Sequence, residues 1–273
     1  MMSQDLLQIA QQLRIKVIKM LAQAGSGHPA SALGLADLFA LLYFGGVLQH
    51  RPDQPNWPQR DYLLMSNGHA CPILYATLAQ AGYFAVAELK TLRKLNSRLQ
   101  GHPHYGSLPG IENSSGLLGQ GLGQACGLSL SLKIDNQDNQ VYCLMSDAEQ
   151  QQGSTWEAYM LAAKYQLNNL VAIIDRNHIQ ISNQPKQVMP IEPLQAKLTS
   201  FNWQVYQVDG HDFTAMGQLF ARLTKPKQPT AIILHTTAGK GVSFMENNYQ
   251  WHGQVPNQQQ TTQALKELNA GYS

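Results

Sequence analysis

The sequence predicts an α/β domain in which a parallel sheet is covered by helices on both faces. Two observations carry this reading. Four short, mostly apolar runs at 141–145, 170–174, 205–208 and 231–234 occupy the second half of the chain, and a helix-length segment at 154–166 separates the first two. Strands that are apolar throughout, rather than alternating, are buried on both faces, and that is the habit of parallel strands joined by helices.

The first half reads as helical. Leu6, Ile9, Leu13, Val17, Met20 and Leu21 recur at helical spacing and Gly25 ends the segment. A second apolar helix is expected over 35–48, and a third over 66–80 with Ser66 as its N-cap. Residues 101–124 contain seven glycines, so a loop there brings backbone close to something or takes positive φ. From Gln120 the pattern turns helical again. No composition break marks a boundary, so 1–273 reads as one domain, with a loose Gln-rich segment after about Pro256.

Composition excludes several classes. Nineteen basic against seventeen acidic residues give a net charge of +2, which points to neither nucleic acid nor a membrane surface. Cys71, Cys126 and Cys143 form an odd set without a C-x-x-C pair, arguing against a disulfide framework and for a reducing, cytoplasmic setting. The longest apolar stretch, 38–48, is far short of the roughly 20 residues a membrane span needs. The N-terminus carries Asp5, Arg14, Lys16 and Lys19 and is no secretory leader.

The chemistry-bearing residues begin with Asp147 and Asn177. Each follows a buried run, and they stand 30 residues apart, the length of one βαβ unit. Parallel strands end at the same sheet edge, where open α/β folds bind ligands. A carboxylate and an amide oxygen meeting there suit a hard cation holding a diphosphate. Either residue alone also reads as a turn residue. Four histidines stand beside glycines or at helix starts: Gly25-Ser-Gly-His28-Pro, Ser66-Asn-Gly-His69, Gly101-His102-Pro and Trp251-His252-Gly. Each alone reads as a capping or surface residue. Together they present imidazoles on tightly turned backbone, able to exchange protons with hydroxyls or bind phosphate.

These segments, with Gly116-Leu-Leu-Gly-Gln-Gly121 and the 147–177 unit, resemble the N-terminal half of transketolase, in the family's order over roughly 20–255. Met189-Pro-Ile-Glu-Pro193 and Val208-Asp-Gly-His-Asp212 are similar to transketolases divided between two chains. The resemblance implies a thiamine diphosphate-binding fold and the cofactor itself. It implies Mg²⁺, with Ca²⁺ or Mn²⁺ as substitutes, held by the Asp147 and Asn177 side chains and the Ile179 carbonyl. It further implies His69 and His252 at the diphosphate or reacting centre, and His28 and His102 at sugar hydroxyls. Gly116 and Leu118 would lie near the aminopyrimidine and Ile181 on the thiazolium, with Glu157 in a network joining the two active sites. The implied partner is a separate pyrimidine-binding subunit in an α2β2 assembly, and the implied reaction moves a two-carbon ketol group from a ketose phosphate to an aldose phosphate. The alternatives are a related pair loading a two-carbon unit onto a carrier or other acceptor, and a non-catalytic subunit.

Three departures from the family pattern bear on the diphosphate and the inter-site network, besides Leu117 where Pro is commoner and Ala238 where divided transketolases often have Lys. Ser146 and Ala148 flank Asp147 where glycines are usual, and Gln152 stands where Glu is usual. The first two imply weaker or shifted diphosphate binding, with strain if Ala148 needs positive φ. The third removes a mobile proton from the inter-site network.

Overall fold

The computed structural model describes residues 3–223 and 227–270. Helix α1, Ser3–Ala24, is followed by α2, Pro29–Gly34, and α3, Ala36–Phe44. Strand β1, Tyr62–Met65, leads through a short 3₁₀ turn to α4, Cys71–Ala81. After the glycine-rich loop come α5, Gly121–Ile134, β2, Val141–Ser146, α6, Gly153–Lys164, and β3, Leu170–Arg176. The rest alternates α7, Pro185–Val188, α8, Leu194–Ser200, β4, Gln204–Asp209, α9, Phe213–Arg222, β5, Thr230–His235, and α10, Gln258–Ala270.

The five strands are all parallel, in the order β1-β2-β3-β5-β4. Steps from β1 to β4 run one way across the sheet through α5, α6 and α8, and the step back to β5 runs through α9. Right-handed crossovers then put those two groups of helices on opposite faces, and the packing agrees. Tyr142, Leu144, Val171, Ile173, Ile232 and Leu234 face a core shared with α1, α3, α4 and α9. Val141, Cys143, Met145, Ala172, Ile174 and Ile233 face a second core with α5, α6 and α8, where Trp203 is buried and donates from Nε1 to the Tyr159 carbonyl at 3.0 Å. A buried ion pair, Arg14 to Asp37 at 2.5 Å, joins α1 to α3. Asp37 also meets His211 Nδ1 at 2.6 Å, while His211 Nε2 accepts the Thr237 N–H at 2.8 Å. The second bond fixes Nδ1 as the protonated nitrogen.

The four expected strands form, and β1 is an addition: at four residues between Arg60-Asp61 and Ser66 it carries too little pattern to read. The expected helix over 35–48 is the shorter α3, which Gly45 caps after Phe44, and the short α2 before it, ending at Gly34, was not expected. Ser66 does not cap a helix. The helix begins at Cys71, with proline in its first turn, and the Ser66 hydroxyl donates to Glu149 instead. The segment after Pro256, expected to be loose, is helix α10, which packs on α1 through buried Ala264 and Leu268. Among the described residues no helix is long and apolar enough to cross a membrane.

Because Leu268 is 4% exposed and seated in the main core, Leu268→Ala is expected to cost about 2–5 kcal/mol. Chemical denaturation measures this; an unchanged midpoint would show that α10 adds nothing to the fold.

Candidate active site

All the strands are parallel, so β1, β2 and β3 end at one edge and deliver Ser66-Asn67, Asp147 and Asn177 there together. A cavity of about 400 Å³ opens on this edge. Its lining includes every residue singled out in the sequence except Glu157: the four histidines, Gly116, Leu118, Asp147, Ala148, Asn177, Ile179 and Ile181. Glu157 lies on an exposed face of α6, outside the cavity. Ser31, Gln151, Gln180 and Ser182 also line it and carry no local sequence signal.

Three imidazoles form a triangle. The ring centroids of His28 and His69 are 5.3 Å apart, those of His28 and His252 5.4 Å, and those of His69 and His252 5.2 Å. Burial and mutual repulsion hold them below the ordinary histidine range: His28 falls to about 4, His69 lies well below it, and burial lowers His252. His102 is lowered by burial and by the Arg93 guanidinium. At neutral pH the four rings are therefore neutral, each with one N–H and one lone pair.

Glycine positions two of these rings. Gly27 has φ +135°, and a Cβ there would lie 2.4 Å from the Leu21 side chain. Gly116 has φ +140°, and a Cβ would press on the His102 ring at 3.2 Å.

On the floor, Asp147 Oδ2 accepts from Arg176 Nη1 at 2.7 Å and from the His178 N–H at 3.2 Å. Burial pushes the Asp147 carboxyl above its ordinary range, with Arg176 pulling against it. Asn177 Nδ2 donates to Asp175 Oδ2 at 2.8 Å and to Ser31 Oγ at 3.3 Å, while Asn177 Oδ1 accepts the Ile179 N–H at 3.1 Å. Asp175 is fully buried and pushed up to about 7 by that burial; the Thr236 and Asn177 donors oppose the shift and the Asp147 charge adds to it.

Behind the cavity, Glu149 is 0% exposed and its carboxylate accepts from the Gly119 N–H at 2.8 Å, the Ser146 N–H at 2.8 Å and the Ser66 hydroxyl. The Glu149 N–H in turn meets Ser146 Oγ at 3.3 Å. Ser146 and Glu149 thus make the reciprocal pair of a capping box, and the S-x-x-E spacing that could have revealed it stands in the sequence. The strain expected if Ala148 needed positive φ is absent. Ser146 lies in a strand and has a built-in partner, and Ala148 opens a 3₁₀ turn without positive φ.

Residues 6–272 match the family "Transketolase, thiamine diphosphate binding domain". The chain belongs to the transketolase family. It is 37% identical to one of the subunits of the apulose-4-phosphate transketolase of Phocaeicola vulgatus, over 94% of this chain and 91% of that one. It is 38% identical to human transketolase over 97% of this chain but only 42% of the human protein, so it spans less than half of that relative. The solved structure of Campylobacter jejuni transketolase superposes with a TM-score of 0.93 at 32% identity, covering 98% of this chain and 43% of that one.

The buried ionisable groups generate two predictions. Glu149→Gln turns one carboxylate acceptor into a donor facing other donors and is expected to cost about 1–3 kcal/mol in denaturation; no loss would contradict the role given to Glu149. His28, lowered to about 4 in the fold from the ordinary value of 6.5, binds fewer protons folded than unfolded, so its contribution is lost as pH falls from 6.5 toward 4. Asp175 acts in the opposite sense, because its carboxyl is raised to about 7 from 3.8 and penalises folding as pH rises through that window. The histidine effect is therefore read as a difference: the wild type is expected to lose stability relative to His28→Gln between pH 6.5 and 4. Parallel curves would contradict it.

Proposed function

We propose that this chain is the diphosphate-binding subunit of a two-chain transketolase dependent on thiamine diphosphate and Mg²⁺, moving a two-carbon ketol group from a ketose phosphate to an aldose phosphate. The observation that carries the reading is the convergence of four neutral histidines over Asp147 and Asn177 in one cavity. The cavity suits the cofactor. Two atoms of its lining, His28 Nδ1 and His252 Nδ1, are buried without a hydrogen-bond partner in the protein. Unsatisfied buried polar atoms facing a cavity are what a polar ligand would complete.

In this reading the Asp147 and Asn177 side chains and the Ile179 carbonyl hold the cation, with Mg²⁺ replaceable by Ca²⁺ or Mn²⁺. His69 and His252 face the diphosphate and reacting centre, Gly116 and Leu118 flank the aminopyrimidine, and Ile181 covers the thiazolium. The bound cofactor supplies the electron sink that stabilises a two-carbon carbanion. The protein's own part is proton handling and orientation. A neutral imidazole at His28 or His102 accepts a hydroxyl proton from the sugar and returns it, and its depressed pKa keeps it unprotonated at the outset. Glu157, on the exposed face of α6, is available to the network between sites only across an interface.

The partner is a separate pyrimidine-binding subunit, in an α2β2 assembly. Leu117 and Ile181 are 76% and 80% exposed, and apolar surface beside a catalytic cavity is what a partner would cover. The similarity, over nearly the full length of both chains, to one subunit of a divided transketolase supports the same division here.

Mixed with a pyrimidine-binding subunit, thiamine diphosphate and Mg²⁺, the chain is expected to transfer a ketol unit from xylulose 5-phosphate to ribose 5-phosphate, read as new ketose phosphate. Transfer by this chain alone would contradict the two-chain reading, and transfer from pyruvate only would move the assignment to acyl loading. His28→Ala and His102→Ala are each expected to lower kcat/KM by about 100-fold or more with cofactor binding retained.

A further inference from the structure

Arg176 is the residue at this site that neither the sequence motifs nor the proposed roles use. It ends β3, its side chain is 6% exposed, and it spans two carboxylates: Nη1 to Asp147 Oδ2 at 2.7 Å and Nη2 to Glu192 Oε1 at 2.9 Å. The two carboxylates differ sharply, since the Asp147 side chain is 1% exposed and that of Glu192 is 60% exposed. Glu192 closes the 177–193 segment whose residues Ile179, Gln180 and Ile181 line the cavity, and its Oε2 accepts the Leu194 N–H at 2.9 Å.

We propose that Arg176 is the internal counter-cation of Asp147 and sets the concentration of divalent cation this site requires; the inference rests on the assignment of Asp147 as a cation ligand. A buried carboxylate without a partner is strongly destabilising. Asp147 is buried, and a guanidinium is the only charged partner it has among the described residues. The fold therefore stands without a metal, and the cation arrives at a carboxylate already half neutralised. One oxygen is committed to Arg176 and the His178 N–H, so the cation takes the other or displaces the guanidinium.

Two effects oppose each other. A partner that orients a ligating carboxylate raises metal affinity, and losing it typically costs about 10–100-fold. A fixed positive charge beside a dication lowers affinity. Here orientation has a second source in the His178 N–H, whereas nothing else among the described residues supplies the positive charge. Repulsion therefore prevails, and Glu192 moderates it by drawing part of the guanidinium away from Asp147. When the cation binds, Glu192 remains as the partner of Arg176.

The test is a Mn²⁺ titration of the full chain with saturating thiamine diphosphate, with free Mn²⁺ read by electron paramagnetic resonance. Arg176→Leu is expected to lower the Mn²⁺ midpoint by about tenfold, through loss of a fixed positive charge beside the dication, while lowering the melting temperature of the metal-free protein. Arg176→Lys, which keeps the charge, should stay near wild type. Glu192→Gln, at an exposed position that leaves folding intact, should raise the midpoint several-fold. An Arg176→Leu midpoint that is unchanged or higher, or a Glu192→Gln midpoint that does not rise, would overturn the proposal while leaving the site assignment standing. A wild type without Mn²⁺ binding would overturn both. Should Arg176→Leu fail to fold, the direction of the Glu192→Gln shift still decides the sign.

Discussion

A single buried carboxylate ties together the parts from which the site is made. Glu149 accepts hydrogen bonds from the end of β1 at Ser66, from the glycine-rich loop at Gly119 and from the end of β2 at Ser146. These three segments carry His69, Gly116 and Asp147, so their spacing around the cavity is set from behind by one side chain. Burying a charge is costly, and burial does push the Glu149 carboxyl upward, but several donors offset that cost. With its donors matched, such a network rigidifies the segments it joins. The cavity is thus pre-formed by the fold.

The same low-dielectric setting fixes the character of the histidines. Three rings within 5.2 to 5.4 Å of one another cannot all carry charge. Burial keeps them neutral, and neutrality equips them to take a proton from a hydroxyl. The positive charge at the sheet edge comes instead from Arg176, buried and paired to Asp147.

Much of this was legible in the sequence because it depended on periodicity. The 30-residue interval between Asp147 and Asn177 is set by βαβ geometry, so their meeting at one edge follows from the strand pattern. The histidines were legible through the glycines beside them, and Gly27 and Gly116 do hold positive φ against close neighbours. Glu149 was signalled only by its S-x-x-E spacing from Ser146, and Arg176 not at all, because a charged residue at the end of an apolar strand reads as its terminator. Only the fold buries them. Helix α10 was hidden because its Gln-rich surface masks a thin apolar stripe, in which Ala264 and Leu268 alone are buried. Whether Ala148 would be strained was not legible either, since a sequence departure does not reveal the backbone angle it must adopt.

The most direct measurement is calorimetric titration of thiamine diphosphate into the protein with Mg²⁺ and again with EDTA, for the wild type and for Asn177→Ala. Saturable binding that requires Mg²⁺ and is weakened by the substitution is the predicted result. Binding that is indifferent to both cation and Asn177 would contradict the assignment of this cavity as the cofactor site.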